Sequence, residues 1–527
     1  MLYTGPDFEP SPANVSIWDW VFQGESPPSQ KHGFRDAHTG QFLSHHQVKE
    51  AAEDASLSLS IDHNVRPLDA VSILARNSIS YVLAFFASVR LRATVVPIPS
   101  VAMEEDLAYL LETSSTRLVF VEPNLMDIVK RACEILGSTS ISIILLDRSS
   151  ADVPTLGLLI QRGRALRGRA ARLLEPANER QLARAFLCFT SGTTGKPKAV
   201  IISHSNIINQ LRQVQAFTPA KSSPAVILGI LPFYHITGLA MMEVIVRFRC
   251  TELWLVPPLL IRLLNDRTAQ GYDLSHVEQF NTGAAPLTDQ VIQQLAKRFP
   301  NIRIRQAWGM TETTSCLTLT PPDLMTWENA SKAGKLAPGT SVRFADPETG
   351  ETIPTGGTGE IWAKGPQVTA GYLNRPTETA SSYRKDGFFR TGDLGSISED
   401  GFITIHDRLK EMIKVRGHAV APAELEDLLL GIPAVADAAV IGIPHEYSGE
   451  VPRAFVVVHN HIAPSELVAE QISSFVKARK PKYKSLAGGI DFVESIPKSP
   501  SGKILRRALK DRWLSSVKVK NKIEPKL

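Results

Sequence analysis

The chain has 527 residues, of which 43% are hydrophobic and 21% charged, and its formal net charge is +5. That length exceeds what one compact core organises, so at least two domains are expected. The small positive charge suits a polyanionic ligand such as a nucleotide, but no basic stripe with interleaved aromatics points to DNA or RNA.

The N-terminal MLYTGPDFEP has neither the basic n-region nor the apolar h-region of a secretory signal. From there to about residue 180, apolar runs alternate with helical patterns, as in an α/β domain. Asp69 to Leu74 reads as a buried strand, Tyr81 to Leu91 as a helix and Ala93 to Ile98 as the next strand. Glu104 to Glu112 is another helix, and Arg117 to Val121 a third strand. This β-α-β-α-β order predicts a largely parallel sheet with crossover helices. The longest apolar stretch, Ile79 to Val89, is too short to span a bilayer and reads as a buried helix.

Phe186 to Phe189 is strand-like, and Ala199 to Ser203 is a second strand. Between them lies Thr190-Ser191-Gly192-Thr193-Thr194-Gly195-Lys196-Pro197-Lys198. Glycines let backbone N–H groups approach an anion, the hydroxyls donate hydrogen bonds, and the two lysines neutralise charge. A phosphate-binding loop is therefore expected, although the G-x-x-x-x-G-K-[ST] spacing of a Walker A loop is missing.

From Gly334 to about Arg408 the chain is rich in Gly, Pro and Thr, with short strands at Gly359 to Ala363 and Phe402 to His406. A small β subdomain is expected there. A compact C-terminal unit follows: a helix from Pro422 to Leu430, strands at Ala434 to Ile441 and Ala454 to Val458, and a helix from Ser465 to Arg479. The four cysteines, Cys133, Cys188, Cys250 and Cys316, have neither zinc-ligand spacing nor the pattern of a disulfide framework, so a soluble protein of a reducing, intracellular compartment is expected. The terminal Pro525-Lys526-Leu527 follows Lys518, Lys520 and Lys522 and resembles the peroxisomal Ser-Lys-Leu with Pro in place of Ser. Peroxisome and cytoplasm both stay open.

The segment Phe189 to Lys198, FTSGTTGKPK, resembles the signature of the adenylate-forming superfamily of acyl-CoA synthetases, adenylation domains and beetle luciferases. Further matches follow in the family's order: Gly283 to Leu287, Trp308 to Thr313, and Tyr383 to Asp393. Asp407-Arg408-Leu409-Lys410-Glu411 with Gly417, and Pro497 to Arg506, complete the set. The branch most similar is the 4-coumarate–CoA ligase-like group. The resemblance implies a large N-terminal ATP- and acid-binding domain, residues 1–409, of parallel α/β subdomains and a small β subdomain. A mobile α+β lid domain, residues 410–527, would turn about Lys410.

It also implies roles. Thr190, Ser191, Gly192, Thr193, Thr194 and Lys198 would hold the β- and γ-phosphates of ATP. Glu312 would ligate Mg²⁺, an oxygen-seeking cation, and Thr311 would contact the α-phosphate. Gly283, Ala284, Ala285 and Pro286 would form a wall against adenine. Trp308, followed by Gly309 and Met310, would stack on the base where many relatives carry Tyr. Asp393 would accept both ribose hydroxyls, and Arg408 would contact ribose or phosphate. Lys503 would bridge the attacking carboxylate and the α-phosphate as the lid closes. Lys414 and Gly417 would then guide the thiol of coenzyme A on the lid's second face. His235 would gate the acyl pocket, lined by Thr237, Met241, Gly283, Gly309, Ser315 and Cys316.

The chain departs from the pattern at three points. Thr237 stands where coumarate-type ligases have tyrosine, which leaves room for another aryl or a medium-chain acid. Ala419 replaces a glutamine that would contact the adenylate. After Arg247-Phe248-Arg249, Cys250 runs almost at once into Thr251-Glu252-Leu253-Trp254. There the chain is shorter than its relatives by about one strand–helix crossover of roughly a dozen or more residues. Exposed neighbouring backbone and reduced stability or activity are expected from that loss. Three functions remain: an acyl-CoA ligase using ATP, Mg²⁺ and coenzyme A, an enzyme loading a carrier protein in trans, and a nucleotide-binding homologue impaired in catalysis.

Overall fold

The β-α-β-α-β alternation near the N-terminus folds as a parallel sheet. The computed structural model describes all residues except 13, 25–28, 139, 148–152, 168–181, 191–195, 219–224, 230–243, 266–271, 284–286, 288, 417, 460–461, 499–503 and 524–527. Strand Ala70–Leu74 is buried along its whole length. Val71 and Ile73 join one apolar cluster with Val95, Leu118 and Phe120, while Ala70 and Leu74 join another with Val96, Val119 and Val121. Both faces of the sheet are thus covered, which is why its strands read as continuous apolar runs.

The helix between the first two strands, Ile79–Arg90, is started by Ser78, whose side chain accepts the Tyr81 N–H. It buries Leu83, Ala84 and Ala87. The order across the sheet is Ser142–Leu145, Thr116–Val121, Ala70–Leu74, Thr94–Ile98, Phe186–Thr190 and Lys198–Ile202. All neighbours are parallel except the last pair, an antiparallel hairpin. Element ends differ from expectation by one or two residues.

A second sheet orders Ile227–Leu228, Glu252–Trp254, Gln279–Gly283 and Arg303–Trp308 in parallel, then Thr318–Leu319 and Lys335–Leu336 antiparallel. This is the region where the family's pattern led to the expectation of a missing crossover. Strand Glu252–Trp254 pairs directly with Ile227–Leu228, and the Thr251 N–H donates to the Val226 carbonyl at 2.9 Å. The four parallel strands pair in sequence, and Val226 and Ile227 at the outer edge are exposed, with the Val226 N–H donating to the Thr251 hydroxyl at 3.0 Å.

The β subdomain is a five-stranded antiparallel sheet: Tyr3–Thr4, Ser341–Ala345, Gly359–Lys364, Phe389–Ile397 and Ile403–Arg408. Its first strand comes from the extreme N-terminus, which a two-residue pairing leaves without any periodic signal. The C-terminal domain has helices Pro422–Leu430 and Glu466–Arg479 on a sheet centred on Val435–His445 and Gly449–Val458. These strands run longer than expected because they pair with each other over ten residues. The last helix is Arg506–Ile523. Arg506 donates to Glu411 at 2.6 Å and to both oxygens of Glu426 at 2.8 and 2.7 Å, fastening that helix to the domain.

Candidate active site

The loop expected to hold phosphates closes the hairpin of Phe186–Thr190 and Lys198–Ile202, where Thr190 faces Lys198. Ser191, Gly192, Thr193 and Thr194 lie outside the described residues. The hairpin is braced on one side by Tyr109, whose hydroxyl donates to the Pro197 carbonyl at 2.9 Å while Lys196 lies over its ring. On the other side Val200 bridges to Tyr372. There the Leu373 N–H donates to the Ala199 carbonyl at 2.8 Å, and the Ile201 N–H to the Gly371 carbonyl at 3.0 Å.

Strand Arg303–Trp308 delivers the second element. It ends in Gly309, where a Cβ would lie 1.7 Å from the Ser315 carbonyl oxygen, so only glycine fits. The chain then turns through Thr311–Thr313, with the Met310 N–H donating to the Thr313 hydroxyl at 3.0 Å. Thr314 and Ser315 follow with φ of +58° and +146°. This turn packs against both strands of the phosphate hairpin and so brings Thr311 and Glu312 to Thr190 and Lys198.

The Glu312 side chain is held by Tyr372, whose hydroxyl donates to Oε1 at 2.9 Å. Its main-chain carbonyl accepts the Thr369 N–H at 2.9 Å. Burial and the neighbouring Glu312 charge push the Tyr372 phenol far above its usual range, so it stays a neutral donor. Among the described residues no group of three or more His, Cys, Asp or Glu could hold a metal, so Glu312 is a lone acid in this turn.

The third element is the β subdomain strand Phe389–Ile397. It carries Asp393 opposite Arg408, with Gly392 at φ +70°. Asp393 is 3% exposed. Its Oδ2 accepts the Trp308 indole N–H at 2.9 Å, and its Oδ1 faces the Arg408 Nε at 3.0 Å. Gly283 ends the strand beside Ala307, where a Cβ would lie 2.7 Å from the Ala307 carbonyl oxygen. Trp308, Asp393 and Arg408 therefore form one cluster next to the glycine that opens the Gly283 to Pro286 segment. Ala284, Ala285 and Pro286 are outside the described residues.

The remaining expected residues lie outside the described residues or elsewhere in the fold. His235, Thr237, Met241, Gly417, Lys503 and the terminal Pro525-Lys526-Leu527 lie outside the described residues. Lys414 stands apart and exposed in the C-terminal sheet, its N–H donated to Glu450 at 3.1 Å. Cys316, expected in the acyl pocket, is buried against Phe217, Leu319 and Ala337, and its N–H donates to Gln210 at 2.8 Å.

Two residues escaped the sequence reading of this site. Tyr372 has no motif to mark it. Lys410, expected as a turning point, also feels the charges of this site. Burial pushes it below the usual lysine range, Arg408 and Lys198 act in the same direction, and Glu411 and Glu312 oppose them. All four cysteines are free. Among the described residues, no helix is long and apolar enough to cross a membrane.

With this geometry in place, the sequence matches the model of the AMP-binding enzyme family over residues 23–245 and 239–373. It matches the AMP-binding enzyme C-terminal domain over residues 424–503. It is 33% identical to Peroxisomal OPC-8:0-CoA ligase 1 of Arabidopsis thaliana over 535 residues, covering 95% of this chain and 94% of that one. It is 30% identical to 4-coumarate–CoA ligase 1 of the same plant over 534 residues, covering 95% and 93%. Among solved structures, the ATP-bound RpMatB-BxBclM chimera B1 superposes with a TM-score of 0.80 at 26% identity, covering 95% of this chain and 99% of that one.

Proposed function

The chain belongs to the AMP-binding enzyme family, close to CoA ligases of the 4-coumarate type, and from this we propose that it is an ATP-dependent acyl-CoA ligase. In the first step a carboxylate oxygen attacks the α-phosphorus of ATP and pyrophosphate leaves, giving an acyl-adenylate. In the second, the thiol of coenzyme A attacks the acyl carbon and AMP leaves. Both first-step reactants are anionic, so the protein's task is to place them and offset charge.

The observation that carries this reading is the meeting of three separate chain segments. Thr190 and Lys198, the Trp308 to Glu312 segment, and the Asp393–Arg408 pair come together from chain segments 85 or more residues apart. In this reading the hairpin residues Thr190 to Lys198 take the phosphates, and Thr311 the α-phosphate. Trp308 and Gly283 to Pro286 take the adenine, and Asp393 the ribose. Glu312 offers one hard carboxylate that would help hold a Mg²⁺, whose charge would offset that of the phosphates. Lys503 assists the first step, and Lys414 and Gly417 the second.

The C-terminal domain, from about Lys410 onward, would turn between the two steps. Lys410, at the start of the C-terminal domain and two residues after Arg408, is the turning point this reading assigns. The named relatives support an aryl or medium-chain acid.

The test is a panel of carboxylic acids with ATP and Mg²⁺, following AMP release with and without coenzyme A. Release that requires coenzyme A is expected. Adenylate that forms but passes only to a carrier protein would replace the ligase with a carrier-loading enzyme. ATP binding without turnover on any acid would overturn both.

A further inference from the structure

Lys198 and Glu312 carry opposite charges on adjoining elements, yet no ion pair joins them. Each contacts Tyr372 instead. The Tyr372 hydroxyl donates to Glu312 Oε1 at 2.9 Å, and the Lys198 Nζ sits 4.4 Å from the centre of the same ring.

The tyrosine is rigidly placed. It is buried at 7% exposure, bridges to Val200 of the hairpin, and its N–H donates to the Thr379 hydroxyl at 3.0 Å. The preceding Gly371, at φ +139°, packs so closely on Thr379 that a Cβ would lie 2.5 Å from its Cγ2. The Tyr383 ring meets the Tyr372 ring edge-on at 5.9 Å, and the Tyr383 and Thr369 hydroxyls are 2.7 Å apart. Thr369, in turn, holds the Glu312 main chain.

We propose that Tyr372 is a positioning residue that keeps Lys198 and Glu312 apart, each aimed at the nucleotide. A direct Lys198–Glu312 ion pair would leave the phosphates facing a neutral couple and would withdraw the carboxylate from a metal. The tyrosine meets each group with a weaker partner, a phenol O–H for the anion and a π-face for the cation. The phenol bonds Oε1 of Glu312, so the other carboxylate oxygen can meet a metal while that bond stays in place. This inference rests on the assignment of Lys198 and Glu312 to ATP and its metal.

The test reads nucleotide binding by calorimetry, with Mg²⁺ and with EDTA, alongside thermal unfolding. Tyr372→Phe keeps the ring and removes the bond to Glu312. Its affinity for MgATP is expected to fall roughly tenfold, as for a lost hydrogen bond to a charged group, with ATP binding in EDTA unchanged. In a Glu312→Gln background the same substitution should have no further effect. Tyr372→Leu removes the ring as well and should weaken ATP binding in EDTA too. Equal loss with and without Mg²⁺ for Tyr372→Phe, additivity with Glu312→Gln, or failure of Tyr372→Phe to fold would each overturn the proposal. A wild-type chain that binds ATP but activates no acid would overturn the ligase reading and leave this test intact.

Discussion

The indole N–H of Trp308 donates to Oδ2 of Asp393 at 2.9 Å, while Arg408 Nε faces Oδ1 at 3.0 Å. The residue read as the base platform and the residue read as the ribose acceptor are joined to each other. A tyrosine at 308 has no N–H at that place in its ring, so this link belongs to tryptophan. The consequence concerns geometry, since the indole fixes both its own plane and one carboxylate oxygen.

The base platform can be separated from the link by substitution. Trp308→Tyr keeps an aromatic face, and its ATP dissociation constant should stay within about threefold of wild type. Trp308→Ala removes the face and should weaken ATP about tenfold or more, on the scale of base–aromatic stacking. Calorimetric titration with ATP distinguishes them, and equal losses would show that the indole N–H outweighs stacking.

Asp393→Asn should act on stability and binding together. The buried carboxylate balances Arg408, and the amide removes that charge while presenting a donor to a donor. A stability loss of about 1–3 kcal/mol is expected in urea denaturation. ATP affinity should fall with it, because the carboxylate is also the acceptor assigned to the ribose.

Gly309 tests the turn that carries Glu312. An added methyl would meet the Ser315 carbonyl oxygen at 1.7 Å, so Gly309→Ala must push the Met310 to Cys316 segment away. A displacement of about 1 Å at a reacting site costs roughly a hundredfold in rate, and that fall is expected in adenylate formation. A fall in affinity for the acid alone would instead place the effect in the acyl pocket.

The pH dependence of stability should show the buried His204. Its Nδ1 accepts the Ile17 N–H at 3.1 Å, which requires the neutral ring, and burial pushes its pKa down to about 4. In the unfolded chain histidine titrates near its ordinary value of about 6.5. As pH falls from 6.5 towards 4, the unfolded chain takes up a proton that the native protein refuses, so stability is lost across that window. The full loss is on the order of 3 kcal/mol. Urea unfolding at pH 7 and pH 4.5 should therefore differ by more in wild type than in His204→Gln, whose amide oxygen can still accept the Ile17 N–H.

The short outer strand Ile227–Leu228 shows how sequence and structure divide the work. The family's pattern leads to the expectation of a missing crossover after Arg249. Only the three-dimensional pairing shows that Glu252–Trp254 lies beside Ile227–Leu228. Backbone hydrogen bonding drives this, because an unpaired central strand would strand its donors and acceptors.

By itself the sequence determined the local features. Alternating apolar and helical runs specified the buried parallel strands and their crossovers, because each face of the sheet needs its own apolar set. The hydroxyl, glycine and lysine content of Thr190 to Lys198 specified a loop that can meet phosphate. The ordered motifs specified Glu312, Trp308, Asp393 and Arg408 as residues of one site. Tertiary structure alone decided which side chains restrain one another. Tyr372 stands between Lys198 and Glu312, and Trp308 is tied to Asp393. Those relationships join segments sixty or more residues apart, where no periodicity or spacing records them, because packing and electrostatics act through space.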